Sequence, residues 1–226
     1  MATVLGVDGC PGGWVGALVD PDGTLRWHVD DLAGLLALDA DAVAVDIPIG
    51  LPAGAVRRTA DVQARGRLGP QRSSVFHAPP RAALPARDHA TSSALSRAVG
   101  GAGLSVQTFH LLGKIREMDE LLATDPRLHG RVVEAHPEVS FRALAGQGGP
   151  PLPRKLLAAG RDVRLELLRG WLPSAALPRP RPGRARDDDC LDALVCAWTA
   201  RRWLAGEAEL LGGEPDAVGV PMRIAV

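Results

Sequence analysis

The segment TVLGVDGCPGGWVGALVD, residues 3–20, decides the fold class. Its apolar stretches at 3–9 and 14–20 predict two β-strands, because both are short and rich in valine and leucine. The residues between them, CPGG, are typical turn residues and predict a tight β-hairpin. A second turn leads into TLRWHVD, residues 24–30, whose alternating pattern predicts a third strand. The chain therefore begins with three strands joined by tight turns.

The segments that follow predict an α/β fold. Asp31 is a predicted N-cap for a helix over residues 32–38. DAVAVDIPIG at 41–50 is largely apolar up to Pro48, which indicates a central strand buried on both faces. Later segments predict a short helix near 54–66 and a helix over 104–122 capped by Ser105. A strand over 131–138 is expected to run into a helix with Pro137 in its first turn. The rest of the chain predicts a mostly helical region at 152–172, a loop at 173–186, a helix from 187 and a terminal strand within 217–226. This order predicts a mixed sheet flanked by helices.

Length and composition limit the classes of protein. For 226 residues we expect a single domain, 1–226, with an insertion at about 51–103, where the sequence is polar, basic and broken by proline and glycine. No run of about 18 apolar residues is present, so we expect no membrane span. The N-terminal residues lack the basic region and cleavage site of a signal peptide, and the three cysteines are scattered. Both observations favour a cytoplasmic protein.

The charge balance limits the partners. The chain has 26 basic and 26 acidic residues, which excludes binding to nucleic acid through bulk positive charge. Binding to a polyanion must then come from a local patch of basic residues, and the best candidate is the basic run in the predicted insertion. The predicted substrate-binding residues are Arg57, Arg65, Arg67, Arg72 and Ser73, together with Lys114 on the helix over 104–122. The alternative explanation for the basic run is a solvated loop. For Lys114 it is an ion pair with Glu117 within the helix.

Three acidic residues each stand at the end of a predicted strand. They are Asp8 in LGVDG, Asp46 in VAVDIP and Glu134 in VVEAHP. If these strands are parallel neighbours, their carboxyl ends meet at one edge of the sheet, where α/β proteins usually bind ligands. Any one of these acids could instead cap a loop or a helix. Three together favour a shared site, to which His136 is an additional candidate.

The predicted late helix, DDDCLDALVCAWTA at 187–200, carries a carboxylate in an apolar environment. Acidic residues at its start cap free N–H groups and complement the helix dipole. Asp192 lies further in, among leucine, alanine and valine residues, where a charge is costly unless something neutralises it. We predict that a metal ion is its partner. Asp189, one turn earlier on nearly the same face, is expected to share that ion, with Asp188 as the alternative ligand.

Convergence of these acids would be strongly repulsive. Two carboxylates about 4 Å apart repel by roughly 4 kcal/mol at an effective dielectric constant near 20, so the cluster needs cations or raised pKa values. Hard oxygen ligands suit Mg²⁺ or Mn²⁺, and two such ions about 3.5–4 Å apart can activate a water and stabilise a leaving oxygen in phosphodiester cleavage. The predicted catalytic residues are Asp8, Asp46, Asp192 and Glu134, and the predicted metal ligands are Asp8, Asp46, Asp189 and Asp192.

These features together resemble the ribonuclease H-like superfamily. That fold has three antiparallel strands, a helix, a central parallel strand, alternating helices and strands, and a late helix that brings an acid to the site. VDGCPGGWVGALV is similar to its first hairpin, and the resemblance puts Asp8 in place of the first catalytic Asp and Asp46 in place of the acid on the fourth strand. DCLDALVCA resembles the late helix of Holliday-junction resolvases, in which an acid or histidine precedes Asp-Ala by three residues. Asp189 and Asp192 match that pair.

Most of the chain is similar to a bacterial and archaeal family of predicted RNase H-like nucleases. The matching segments are GVDGCPGGWVGA, DIPIGLP, RSSVF, KIREMDELL, VVEAHPEVSF and DDDCLDALVCAW, between residues 6 and 198. One departure concerns the catalytic Glu that classical ribonuclease H takes from its first helix. This chain offers only Asp39 at the end of that helix, and Glu134 is the expected replacement.

The sequence therefore predicts a metal-dependent nuclease, a hydrolase that cleaves phosphodiester bonds of nucleic acid with Mg²⁺ or Mn²⁺. The choice between DNA and RNA stays open. One alternative is a non-catalytic module that binds nucleic acid or another partner on the same scaffold. Another is an actin-like ATPase or sugar kinase, which uses a related Asp-Gly motif on its first strand. The actin-like fold needs two such domains around a nucleotide, and this chain has the length and motifs for one.

Overall fold

The computed structural model describes residues 2–54, 56–146 and 151–226. The strands are β1 (Val4–Cys10), β2 (Gly13–Val19), β3 (Leu25–Asp30), β4 (Ala42–Val45), β5 (Val132–Ala135), β6 (Leu210–Pro215) and β7 (Pro221–Ala225). The α-helices are α1 (Leu32–Leu36), α2 (Thr59–Leu68), α3 (His89–Ala98), α4 (Val106–Thr124), α5 (Pro137–Leu144), α6 (Ala158–Trp171) and α7 (Asp187–Leu204). Short 3-10 helices cover Gly69–Ser74, Arg81–Ala83 and Pro126–Gly130. Among the described residues, no helix has both the length and the hydropathy that a bilayer crossing requires.

The strands form a mixed sheet, as predicted, with the order β3-β2-β1-β4-β5-β7-β6. β1 is antiparallel to β2, with Asp8 opposite Val15, and β2 is antiparallel to β3. β4 lies parallel to β1 on the other side, and β5 lies parallel to β4, with Val45 beside Glu134. The carboxyl ends of β1, β4 and β5 therefore lie at the same edge of the sheet, which is where α/β folds place their ligand sites.

The chain divides into two compact units. The first comprises Met1–Asp46, Gly130–Glu209 and Ala225–Val226, and it holds β1 to β5 with α1, α5, α6 and α7. The second comprises Ile47–His129 and Leu210–Ile224, and it holds α2, α3, α4 and β6. The predicted insertion at 51–103 lies inside the second unit, while the single-domain description stays a prediction.

The first unit is built around α7, which packs against the sheet. Residues 190–200 of this helix are all buried. β1 passes so close to α7 that a Cβ at Gly6 would lie 1.9 Å from the carbonyl oxygen of Ala193 and 2.1 Å from the backbone nitrogen of Ala197. Only a residue without a Cβ allows this approach. The contact fixes which turn of α7 faces Asp8, two residues further along β1.

Helix starts signalled in the sequence are confirmed. Oδ1 of Asp31 accepts a hydrogen bond from the N–H of Gly34 at 2.8 Å, at the start of α1. Oγ of Ser105 accepts one from the N–H of Thr108 at 3.1 Å, at the start of α4. α5 begins at Pro137, as predicted. These starts are predictable because the capping group and its backbone donor are near neighbours in the sequence.

Two predicted elements differ from the structure, and one strand was not predicted. The strand predicted over 41–50 is limited to Ala42–Val45, because the chain turns at Asp46 ahead of Pro48, which lacks the N–H that a strand would need. The helix predicted near 54–66 lies instead at Thr59–Leu68. β6 was not predicted, since its sequence LLGGEP has two glycines and no alternation.

α3 lies in a region that the sequence predicts to be irregular. Its inward-facing residues are serines rather than apolar residues: Ser92, Ser93 and Ser96 are all buried. Backbone groups satisfy all three hydroxyls. Ser92 and Ser96 donate to the carbonyls of His89 and Ala102 at 2.9 and 2.6 Å, and Ser93 accepts from the N–H of Leu104 at 3.1 Å. A helix with a polar buried face has no apolar periodicity to signal it.

Replacing Gly6 with alanine is expected to destabilise the first unit, because the new Cβ would overlap the backbone of α7. Overpacking typically costs about 1–3 kcal/mol, and we expect a loss of at least about 2 kcal/mol in the free energy of unfolding, measured with denaturant. Gly170→Ala on α6 is the matched control, since a Cβ there meets nothing within 4 Å among the described residues. A Gly6→Ala protein as stable as the wild type would contradict the close contact.

Candidate metal centre

Three carboxylates from distant parts of the sequence meet in the first unit. Asp8 lies on β1, Asp46 directly follows β4, and Asp192 is on α7. A carboxylate oxygen from each lies within 4.8 Å of those from the other two. Asp8 is 8% exposed and Asp192 is 2% exposed. The convergence predicted for these three residues is therefore confirmed.

The pleat of the sheet explains why Asp8 and Asp46 face α7. Successive side chains of a strand point to opposite faces. Val4 on β1, and Ala42 and Ala44 on β4, belong to the core cluster that also contains the buried residues of α7. Asp8 and Asp46 follow these residues at even spacing, so they continue the row on the same face.

Glu134 points to the other face of the sheet, and its predicted catalytic role stays a prediction. Its neighbours Val133 and Ala135 belong to the core cluster around α7. The same alternation therefore turns Glu134 away from that helix. Glu134 is buried, and within the described residues it is not part of the carboxylate group.

Asp189 has a local role at the start of α7. Its Oδ2 accepts a hydrogen bond from the N–H of Arg186 at 2.8 Å, which caps the helix. Burial raises the pKa of Asp189, and its charge contributes to raising the pKa of Asp8. Among the described residues, the carboxylate group within 4.8 Å does not include it. A metal-binding role for Asp189, or for Asp188, stays a prediction.

Lys155 is a cation at this site that the sequence did not signal. Its Nζ forms an ion pair with Oδ2 of Asp192. Oδ1 of Asp192 is buried and has no hydrogen-bond partner among the described residues. The chain itself thus supplies a partner for one oxygen of Asp192. The other oxygen, Oδ1, is the one that the described residues leave without a partner for the predicted metal ion.

The crowded charges shift the pKa values of the group. Burial raises the pKa of Asp46 to about 6, although Lys155 opposes the rise. Burial, followed by the charges of Asp46 and Asp192, raises the pKa of Asp8 well above its usual range. Burial also raises the pKa of Asp192, against the attraction of Lys155. Burial lowers the pKa of Lys155, but the attraction of Asp192 outweighs it, so the pKa is raised and the ammonium stays charged.

A buried arginine–glutamate pair supports the site. Arg164 on α6 is 1% exposed, and it donates to both carboxylate oxygens of Glu138 at 2.8 and 2.9 Å. The charge of Glu138 also adds to the rise in the pKa of Asp46 and of Asp192. This pair could not be predicted, because Glu138 resembles an ordinary acid in the first turn of a helix.

His136 takes the N-cap position of α5, directly before Pro137. Pro137 then takes the first position of the helix, where its missing N–H leaves no hydrogen bond unmade. A role for His136 in proton transfer stays a prediction.

The second unit brings some of the predicted substrate-binding arginines together. Arg57, Arg65 and Arg72, with His77, line a pocket of about 360 Å³. Burial, followed by the charge of Arg57, lowers the pKa of His77, so the positive charge of the pocket at neutral pH comes from the arginines. Arg65 also donates a hydrogen bond to the carbonyl oxygen of Val75, so it has a structural role as well.

Other members of the predicted set lie elsewhere. Among the described residues, the lining of this pocket does not include Arg67, Ser73 or Lys114, whose contacts with substrate stay predictions. Arg58, in the same basic run, is 2% exposed and donates to Asp61 and to the carbonyl oxygens of residues 49 and 50. Arg58 is therefore a structural residue rather than a ligand for phosphate.

Comparison with known proteins gives one match. Residues 6–217 match the model of a family described as "Protein of unknown function (DUF429)". No curated protein and no solved structure matches the chain.

In metal-free buffer, the stability of the protein should fall as the pH rises from about 4 towards 6. The folded state keeps a proton on Asp46 up to about pH 6, whereas the unfolded chain releases it near the usual pKa of 3.8. The folded state binds more protons in this window, so the stabilisation present below it is lost as the pH rises. Each such group contributes a slope of at most about 1.4 kcal/mol per pH unit.

Denaturant unfolding with a chelator present, measured across this pH window, tests the expectation. Asp46→Asn should flatten the slope, because asparagine does not titrate. Asp162→Asn, an exposed carboxylate on α6, is the matched control and should keep it. If Asp46→Asn and the wild type share the same slope, Asp46 does not have the raised pKa described above.

Proposed function

This chain belongs to the DUF429 family, and from its carboxylate site we propose that it is a divalent-metal-dependent nuclease that hydrolyses phosphodiester bonds of nucleic acid. The observation that carries the proposal is the convergence of Asp8, Asp46 and Asp192, which come from two neighbouring parallel strands and a late helix. Carboxylates brought together in this way, two of them buried and one half-buried, are arranged to bind a cation rather than to stabilise the fold.

The order of elements supports an RNase H-like fold. β1, β2 and β3 form the antiparallel part, β4 and β5 continue the sheet in parallel, and α7 covers the end of β1. This arrangement agrees with the resemblance found in the sequence, in which Asp8, Asp46 and Asp192 match the acids of the superfamily. The acid that classical ribonuclease H takes from its first helix has no counterpart on α1 of this chain. The proposal therefore rests on three carboxylates.

The donor set fits Mg²⁺ or Mn²⁺. All three side chains offer hard oxygen ligands, and Oδ1 of Asp192 is buried and has no hydrogen-bond partner in the described part of the chain. A bound ion would satisfy that oxygen and relieve the repulsion that adds to the effect of burial in raising the pKa of Asp8. When bound, such an ion activates water and stabilises developing negative charge on phosphate oxygens.

The side chains of the site then have distinct tasks. Asp8, Asp46 and Asp192 hold the cation at the edge of the sheet. Hydrolysis joins the oxygen of a water to phosphorus and breaks the bond to the leaving oxygen, which keeps the electron pair. One proton of the water ends on the leaving oxygen and the other on the new phosphate.

The arginine pocket of the second unit supports a polyanionic substrate. Arginine binds phosphate oxygens in a bidentate manner and keeps its charge at all relevant pH values. With a net charge of zero, the protein must bind nucleic acid through such a local patch. The pocket therefore favours nucleic acid over a small neutral substrate, and the choice between DNA and RNA is left to experiment.

A non-catalytic binding module is the second candidate. The ion pair between Lys155 and Asp192 favours it, because it partly neutralises the carboxylates without a metal. A module of this kind would bind nucleic acid but would not cleave it with any metal. The same experiment separates the two candidates.

Cleavage should require Mg²⁺ or Mn²⁺ and all three carboxylates. The assay uses end-labelled single- and double-stranded DNA, single-stranded RNA, an RNA–DNA hybrid and a four-way junction, with metal or with chelator. Asp8→Asn, Asp46→Asn and Asp192→Asn each remove one charged ligand at nearly constant shape. Each should reduce cleavage by about 100-fold or more.

Asp162→Asn is the matched control, because it makes the same chemical change at an exposed position and should cleave like the wild type. Cleavage that survives any of the three site substitutions would disprove the proposed site. Binding without cleavage of any substrate would favour the non-catalytic module.

Arg57→Ala and Arg72→Ala should weaken binding to nucleic acid, since both side chains line the pocket. For each phosphate that the variant no longer neutralises, the slope of log affinity against log salt should flatten by about 0.9 for duplex DNA. Fluorescence anisotropy over a series of salt concentrations measures this slope. Arg87→Ala, an exposed arginine of the same unit, should leave it unchanged. A slope in both pocket variants equal to that of the wild type would place the phosphate-binding residues elsewhere.

A further inference from the structure

The charge balance of the carboxylate site limits how many divalent cations can bind beside Lys155. Asp8, Asp46 and Asp192 carry three negative charges when ionised, and Lys155 contributes one positive charge through its ion pair with Asp192. One divalent cation together with Lys155 would balance the three carboxylates. Two divalent cations with Lys155 would leave two excess positive charges in a buried site, where unpaired charge is costly.

The oxygen atoms available at the site also favour a single divalent cation. Lys155 uses Oδ2 of Asp192, and the N–H of Gly9 donates to Oδ1 of Asp8 at 2.7 Å. Asp192 is 2% exposed, and its Oδ1 has no hydrogen-bond partner among the described residues. A first cation can use this oxygen without disturbing the ion pair. A second cation that bound Asp192 would have to compete with Lys155 for its remaining oxygen.

Buried contacts hold the backbone around Lys155 in place. Arg164, which holds Glu138, also donates to the carbonyl oxygen of Pro153 at 2.7 Å and to that of Gly160 at 2.9 Å. A Cβ at Gly160 would lie 2.0 Å from the carbonyl oxygen of Arg154, so the segment before α6 lies directly against the helix. These contacts fix the backbone on both sides of Lys155, while its side chain is 33% exposed and accessible to a ligand.

We propose that the site binds a single divalent cation and that Lys155 acts as the second cation, in contact with the scissile phosphate. This inference rests on the proposed function. As the bond between phosphorus and the leaving oxygen breaks, the electron pair remains on that oxygen, and the ammonium of Lys155 donates a hydrogen bond to it. The proton that this oxygen finally takes comes from the attacking water, so Lys155 stays protonated throughout. A preorganised positive charge at that point stabilises the transition state.

Mn²⁺ binding, measured by calorimetry and by electron paramagnetic resonance, tests the count of ions. The wild type should bind one Mn²⁺ per chain. Lys155→Met removes the charge at similar length and frees Oδ2 of Asp192, so it should bind the first Mn²⁺ about tenfold more tightly, because the repulsion by the ammonium is gone. It should also lose cleavage of the best substrate by about 100-fold or more.

Two further variants separate the effect of the positive charge of Lys155 from an effect on the structure. Lys155→Arg keeps the positive charge and should retain the affinity for Mn²⁺ and part of the cleavage. Arg154→Met makes the same loss of charge at the adjacent exposed residue, and it should match the wild type in both measurements. Circular dichroism of each variant shows whether it is folded, and the stoichiometry of the wild type does not depend on any variant.

The outcomes distinguish this inference from the proposed function. Two Mn²⁺ ions per chain in a cleaving wild type would overturn the role of Lys155 and leave the nuclease proposal standing. Cleavage by Lys155→Met at or above the wild-type rate would do the same, because Lys155 would then only block the site. A wild type that neither binds Mn²⁺ nor cleaves would overturn the nuclease proposal itself.

Discussion

The close contact between β1 and α7 at Gly6 is the constraint on which the carboxylate site depends. The backbones of the strand and the helix touch there, because a Cβ would lie 1.9 Å from a carbonyl oxygen of the helix. A larger residue would push α7 away from the sheet and separate Asp192 from Asp8. The site is therefore assembled by the packed core of the first unit, and not by flexible loops, which gives its carboxylates the fixed geometry that a metal ion needs.

Bringing three carboxylates together, with Asp8 and Asp192 buried and Asp46 half-buried, has an electrostatic cost that the chain offsets only in part. Lys155 neutralises one charge, and the pair of Arg164 and Glu138 anchors the segment that carries Lys155 without changing the net charge. The remaining repulsion and the burial keep the pKa of Asp8 well above its usual range. Groups with strongly raised pKa values in a fixed cluster are typical of functional sites, because selection for stability alone would replace them with apolar residues.

Much of this architecture could be predicted, because the relevant signals are local. The hairpin, the central strand and the late helix each follow from turn residues, apolar runs and caps, and Asp8, Asp46 and Asp192 stand out as acids in apolar surroundings. The position of Glu134 at a strand end does not specify its face of the sheet, whereas the alternation along β5 turns it away from α7. Lys155 could not be predicted, since it lies 37 residues from Asp192 and only tertiary packing brings the two together.

The central claim is that Asp8, Asp46 and Asp192 bind a divalent cation. Anomalous diffraction from crystals of the wild-type protein grown with Mn²⁺ tests it most directly, because the signal locates the ion independently of any activity. We expect a single anomalous peak bounded by these three carboxylates, with oxygen–metal distances of about 2.1 Å and Oδ1 of Asp192 among the ligands. A map with no peak at this position, or with Mn²⁺ bound only elsewhere on the protein, would contradict the claim.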